Sequence, residues 1–162
     1  MVDSLRMLSL LAATLATGLM AGLYFAFSCA VMPGLARTDD RTFVAAMQWI
    51  NVRILNGWFA LAFGGAFVLT AAALVLHLPA GGRAVLPWVV VALVLYLGTL
   101  LVTFRVNVPL NDALVSAGDP SAMADVASVR EGFEPRWVRW NAVRAVLAAG
   151  ALVSLAVGLS GS

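Results

Sequence analysis

Five asparagines, one arginine and a few carboxylates carry the chemistry this chain can offer. Asn51, Asn56, Asn107, Asn111 and Asn141 all fall within a helical turn or two of a boundary between apolar and polar sequence, and Arg144 follows Asn141 by three positions. A side-chain amide reaches across a helix pair and has no charge to draw it to lipid headgroups. Such a group could meet in one polar site, hold a phosphate, or simply lock two halves of a bundle together. Asp112, Glu131 and Glu134 are the candidate acids or bases. The stretch FRVNVPLNDALV, residues 104–115, concentrates the question. Arg105 and Pro109 suit the end of a helix at a membrane surface, whereas Asn107 and Asn111 stand four apart on one helical face and are expected to line a site.

A very apolar chain has to place these residues. Its 162 residues are 62% hydrophobic and 11% charged, with a mean hydropathy of +0.97, which excludes an ordinary soluble domain. A hydrocarbon layer about 30 Å thick takes roughly 20 helical residues to cross. Four stretches are long enough: residues 7–32, 54–78, 84–104 and 145–161. The first is longer than the roughly 7–15 apolar residues of a cleaved signal and ends at Pro33-Gly34, so it is expected to remain as a helix. Long apolar runs satisfy their own backbone only as helices. The expected fold is therefore all-α, a four-transmembrane-helix bundle in a single domain spanning residues 1–162.

The two halves echo each other. Pro33 and Pro109 are 76 positions apart, and Asn51 and Asn141 are 90 apart. Each half reads as a span, a proline exit, a short amphipathic surface helix and a Trp/Asn/Arg lead-in to the next span, giving two parallel helical-hairpin repeats. Asp39-Asp40 is expected to cap a helix over residues 41–49, and Pro120-Ser121 to open another towards Arg130. LPAGGR, with Pro79, Gly81 and Gly82, supplies a short turn. Eight arginines lie between spans one and two and between spans three and four, against Arg6 and Arg83 elsewhere. The positive-inside rule then places both long loops in the cytoplasm and both termini outside.

Helical spacing sorts the polar groups into stripes: Trp137, Trp140, Asn141 and Arg144; Trp49, Arg53 and Asn56; Tyr96, Thr99, Thr103 and Asn107; Thr14, Thr17, Tyr24 and Ser28. Polar edges facing lipid are costly, so they are expected to face one another around a cavity at the loop-rich end. The plainer alternatives are tryptophans in an interfacial belt, Arg53 and Arg144 snorkelling to phosphates, and Thr and Ser bonding back to their own helices. Gly57, Gly64 and Gly65 are expected to permit close helix approach. His77 is the only histidine and Cys29 the only cysteine, so no metal site is expected. Ten arginines without lysine read as codon usage, and no nucleic-acid partner is expected.

The order GLYFAFSCAVMPGL, AAMQWINVRILN, LYLGTLLVTFRVNVPLNDAL and FEPRWVRWNAVRAVL closely resembles the anthrone oxygenase family, over roughly residues 15–152. Its most specific parts are Asn-x-Pro-Leu-Asn at 107–111 and Trp-x-x-x-Asn-x-x-Arg at 137–144. The resemblance implies an oxygenase-like protein of the bacterial inner membrane that oxidises a lipophilic aromatic, anthrone-type or quinone-like, without a cofactor. An anthrone loses a proton to give a delocalised enolate that can reduce dioxygen, so helping it takes a flat slot, donors and a base. On that implication Trp137 and Trp140 flank the rings, with Trp49, Arg53, Asn51, Asn56, Tyr24 and Tyr96 completing the binding surface. Asn107, Asn141 and Arg144 are the donors, Asn111 joins them as a catalytic candidate, and Asp112 or Glu134 is the base. The alternative is a non-enzymatic membrane module that binds a lipid headgroup, a small ligand or a partner protein. Inward-facing tryptophan rings favour the first reading and lipid-facing rings the second; either leaves the oligomeric state open.

Overall fold

The computed structural model describes residues 2–79 and 83–161. Five helices organise the chain: α1 (Val2–Leu35), α2 (Asp40–Arg53), α3 (Gly57–His77), α4 (Leu86–Ser116) and α5 (Val126–Ser160). All except α2 are long and apolar enough to cross a membrane, and there is no strand among the described residues. The chain is an integral membrane protein built as an all-α four-helix bundle. Gly81 and Gly82 of the expected short turn lie outside the described residues.

α1 packs along both α3 and α5, α5 packs along α4, and α3 meets α4 more sparsely. The main core fills the bundle with Leu10, Met20, Tyr24, Val89, Tyr96 and Leu155 among others. A second core, around Met32, Phe43, Met47, Leu114, Phe133 and Trp137, fastens α2 across the loop-rich end. α2 is amphipathic in the required sense: Phe43, Val44, Met47 and Asn51 share its buried face. α4 and α5 approach each other closely. A Cβ on Gly98 would come within 3.3 Å of Leu147, and one on Gly150 within 3.1 Å of Leu95, so each helix seats the other's leucine against a glycine. Gly57 and Gly64, expected to serve close approach, have open space where a Cβ would project, and Gly65 has only an ordinary contact with Leu69.

The prolines do not end the spans. In α1 the turn at Phe27–Val31 is π-helical, and Met32 N–H donates to Phe27 O. In α4 the same happens at Thr103–Asn107, where Val108 N–H donates to Thr103 O. Each widened turn comes directly before Met32-Pro33 or Val108-Pro109. A proline lacks the N–H for the usual bond and crowds the carbonyl four residues back. A π turn shifts that carbonyl's register, so the helix continues. The distortion repeats at the 76-residue offset of the two prolines, a structural counterpart of the expected repeat.

The expected surface helix after Pro120 and the separate fourth span are instead one helix of 35 residues that runs through Pro135. It starts at Asp125, whose carboxylate accepts from Ser128 N–H, and Pro120 stays in the preceding turn. Asp39 does cap α2, accepting from Thr42 N–H and from the Thr42 hydroxyl. These bonds hold its carboxyl below the usual carboxylate range.

Candidate functional site

The site grows from α5. Trp137, Asn141 and Arg144 recur at intervals of four and three, which aligns them on one face, and all three are buried. That face looks into a cavity of about 530 Å³ at the loop-rich end, bounded by α1, α2, α3, α4 and α5. Phe27, Phe59, Phe63, Phe104 and Trp137 give it aromatic walls, while Tyr24, Asn51, Thr103, Asn107, Asn111 and Asp112 add polar groups. Phe59 and Phe63 stack at 5.2 Å, and Phe63 meets Phe104 edge-on at 5.9 Å. These rings stand where α3 and α4 pack sparsely, and Phe104 and Leu55 are largely exposed there.

At the inner end lies Arg144, only 7% exposed. Its Nη2 donates to Asn141 Oδ1 at 2.9 Å and its Nη1 more weakly to Thr103 Oγ1 at 3.5 Å. Its Cζ lies 4.5 Å from the Tyr24 ring centroid and 5.5 Å from that of Trp137, contacts that partly offset its desolvation. Among the described residues it forms no ion pair, and its Nε has no hydrogen-bond partner. An unpaired buried cation costs several kcal/mol. Three further buried polar atoms of the lining lack partners among the described residues: Asn51 Nδ2, Asn107 Oδ1 and the Tyr24 hydroxyl, which lies beside Thr103 without a well-formed bond.

Asn141 is spent inside the protein. Its Nδ2 donates to Tyr24 O at 3.0 Å and to Ser28 Oγ at 2.8 Å, while its Oδ1 holds Arg144. It therefore aims the guanidinium and has no free donor of its own. Trp137 is fixed in a similar way: its Nε1 donates to Asn111 Oδ1 at 2.8 Å, and its ring sits among Phe27 and Phe133.

Of the residues expected at the site, the cavity brings together Tyr24, Asn51, Asn107, Asn111, Asp112, Trp137, Asn141 and Arg144. It does not bring in the other six. Asn56 caps α3, accepting from Phe59 N–H and donating to Arg53 O. Arg53 is exposed, and Trp49, 64% exposed, lies on a separate shallow groove with Gln48 and Pro120. Trp140 is half-buried on the neighbouring face of α5 and lines neither space. Tyr96 ties α4 to α3 by donating to Phe63 O at 2.9 Å. Glu134 is held by Arg130 at 2.6 Å, which leaves Asp112 as the carboxylate of the lining among the described residues. The threonines away from the cavity, Thr14, Thr70 and Thr99, bond back to their own helices. His77 likewise meets Ala73 O one turn back. Sequence reasoning missed the phenylalanine walls, although Phe59 and Phe63 stand four apart and flank one helical face.

No group of three His, Cys, Asp or Glu side chains gathers among the described residues. Neither the curated proteins nor the solved structures include a match to this chain. The family model for anthrone oxygenase matches residues 57–154, which takes in α3, α4 and most of α5. Tyr24 and Asn51 complete the cavity from outside that range, and Ser28, also outside it, holds Asn141. With more than half of its length matched, including Asn107, Trp137, Asn141 and Arg144, the chain belongs to the anthrone oxygenase family.

Proposed function

We propose that the cavity binds a lipophilic aromatic of the anthrone or quinone-like type and promotes its oxidation by dioxygen without a resident cofactor. The observation that carries this reading is Arg144: a buried guanidinium without a carboxylate partner among the described residues, at an aromatic-walled cavity. A guanidinium with no countercharge among the described residues suits an oxygen that gains negative charge during reaction. Trp137 and the phenylalanines provide flat apolar walls for fused rings.

The chemistry closes on its own atoms. A methylene proton passes to Asp112 or to water at the rim, and Arg144 stabilises the resulting enolate oxygen. The enolate gives one electron to dioxygen, and the two radicals join through a carbon–oxygen bond. The proton returns to give a hydroperoxide, which loses water to leave a carbonyl. In sum, the methylene and dioxygen become a carbonyl and water. Asn141 acts as a positioning residue, since its bonds to α1 fix the direction of the guanidinium.

The test is oxidation of anthrone by the detergent-purified protein, with and without oxygen, beside an Arg144→Ala variant. Oxygen-dependent turnover well above buffer that collapses in the variant supports the reading. A rate equal to buffer, together with retention of anionic phospholipid by the wild type alone, favours a headgroup-binding module instead. Eight of the ten arginines stand at the cavity end of the bundle, and on the positive-inside rule that end faces the cytoplasm. A single cysteine placed at Met123 in a Cys29→Ser background then reacts with an impermeant maleimide only after inverted vesicles expose the cytoplasmic face.

A further inference from the structure

The cavity reaches the surface along one seam. Phe104, Val108, Asp112 and Val115 recur on α4 at intervals of four, four and three, so they share a helical face, and all four line the cavity. The elbow that joins α2 to α3 supplies Val52, Ile54 and Leu55 to the same lining. Leu55 is 77% exposed and Phe104 59%, so the cavity comes to the surface at these two apolar residues. Two stitches bound the seam. Tyr96, two turns before Phe104, ties α4 to α3 through Phe63 O. At the loop-rich end Gln48 donates to Leu114 O and Gly118 O, which ties α2 to the end of α4. Between the stitches no hydrogen bond among the described residues joins residues 49–62 to α4. Only side-chain packing closes that length, and such regions open most readily.

The seam also begins at lipid depth. α3 has no Asp, Glu, Lys or Arg, and its 21 residues, at about 1.5 Å each, span roughly 31 Å, the thickness of a hydrocarbon slab of about 30 Å. Phe59 and Phe63, in the first two turns of α3, then stand inside the slab, and Phe104 meets Phe63 there. At the other end of the seam Val52 and Val115 also border the shallow groove of Trp49, Gly118 and Pro120, beside the loop after α4. Resting on the reading of the cavity as a site for a lipophilic aromatic, we propose that the ligand enters sideways from the bilayer, between Leu55 and Phe104, and not from water at the Val52–Val115 end. The elbow is anchored at Gln48 on one side and at Phe63 on the other, so its outward swing opens the seam and leaves the closely packed α4–α5 pair undisturbed.

The experiment is a binding titration of anthrone under argon, so that no oxidation intervenes, followed by tryptophan emission in lipid nanodiscs, with the rate of uptake read by rapid mixing. Two double variants are made in a Cys29→Ser background: Leu55→Cys with Phe104→Cys, and Val52→Cys with Val115→Cys. Each pair is bridged by a bis-maleimide whose disulfide spacer a reductant cleaves, so that every protein serves as its own unbridged control. The Leu55–Phe104 bridge is expected to slow uptake about tenfold or more and cleavage to restore it, while the Val52–Val115 bridge leaves the rate within about twofold. Equal slowing by both bridges, slowing by the Val52–Val115 bridge alone, or slowing by neither overturns the proposal. Those outcomes leave the cavity's function standing, whereas a wild type that binds no anthrone defeats both.

Discussion

Arg130 and Arg144 lie fourteen residues apart on α5 and show two ways of burying a guanidinium. Arg130, at the loop-rich end, has more partners than most arginines find. It bonds Asp40 at 2.9 Å, Glu134 at 2.6 Å and the carbonyls of Thr38 and Ala36, and it lies 4.4 Å from the Phe43 ring centroid. It sews the α1–α2 connection onto α5. Arg144, deeper in the bundle, has amide, hydroxyl and ring contacts but no countercharge among the described residues. A charge whose partners all lie within the protein serves the fold. A charge held in place and left uncompensated is a standing demand for something from outside.

The two should therefore fail differently. Arg144→Met is expected to slow oxygen-dependent anthrone oxidation by roughly 10²–10³-fold, the loss typical for removal of one donor to a developing oxyanion. Its thermal midpoint should hold or rise, since no ion pair is broken and a costly buried charge is removed; rate and unfolding measured on one preparation check both halves. Arg130→Ala should do the reverse, lowering stability by about 1–3 kcal/mol because two carboxylates and two carbonyls lose their shared donor. At constant temperature the activity per folded molecule should hold. A catalytic collapse in Arg130→Ala with an unchanged midpoint would erase the contrast.

Smaller effects sharpen it. Asn56→Ala removes the α3 cap and should cost about 0.5–1 kcal/mol of stability, with ligand affinity unchanged in the same titration. Asn111→Leu should loosen the Trp137 ring and weaken aromatic binding about three- to tenfold, by loss of one net hydrogen bond. The least effect is expected from pH acting on Asp39. Its carboxyl is held below the ordinary value by Thr42, so its cap is fully present above about pH 4 and is lost only as pH falls through the lower folded value. Stability measured between pH 5 and 8 should show no step from this group, and replacing Asp39 with Asn should flatten only the acid limb.

Much of this was open to a reader of the residues alone, because it follows from periodicity. Four apolar runs dictate four spans, and the 137, 141, 144 spacing puts Trp, Asn and Arg on one face whatever surrounds them. The interval between Asn107 and Asn111 works in the same way. What stayed hidden depends on a partner or a register that no local pattern encodes. Pro33 and Pro109 read as stops because a regular helix cannot accept them, and only the π turns before them let the spans continue. Trp140 and Trp137 look equivalent in sequence, yet three residues rotate one ring out of the cavity. Glu134 looked like a base until Arg130 occupied it, and Asn56 looked like a ligand group until α3 was found to begin one residue later.

The length of α5 sets one more property. Its 35 residues, at about 1.5 Å each, make a rod of roughly 52 Å against a hydrocarbon slab of about 30 Å. Arg144 stands sixteen residues, or roughly 24 Å, from the end at Ser160, so the rod sets a fixed axial distance between the guanidinium and the C-terminal end of the helix. On the proposed function, a lipophilic aromatic dissolves in the lipid around such a rod, so its concentration there, rather than in water, would govern how often it meets the protein.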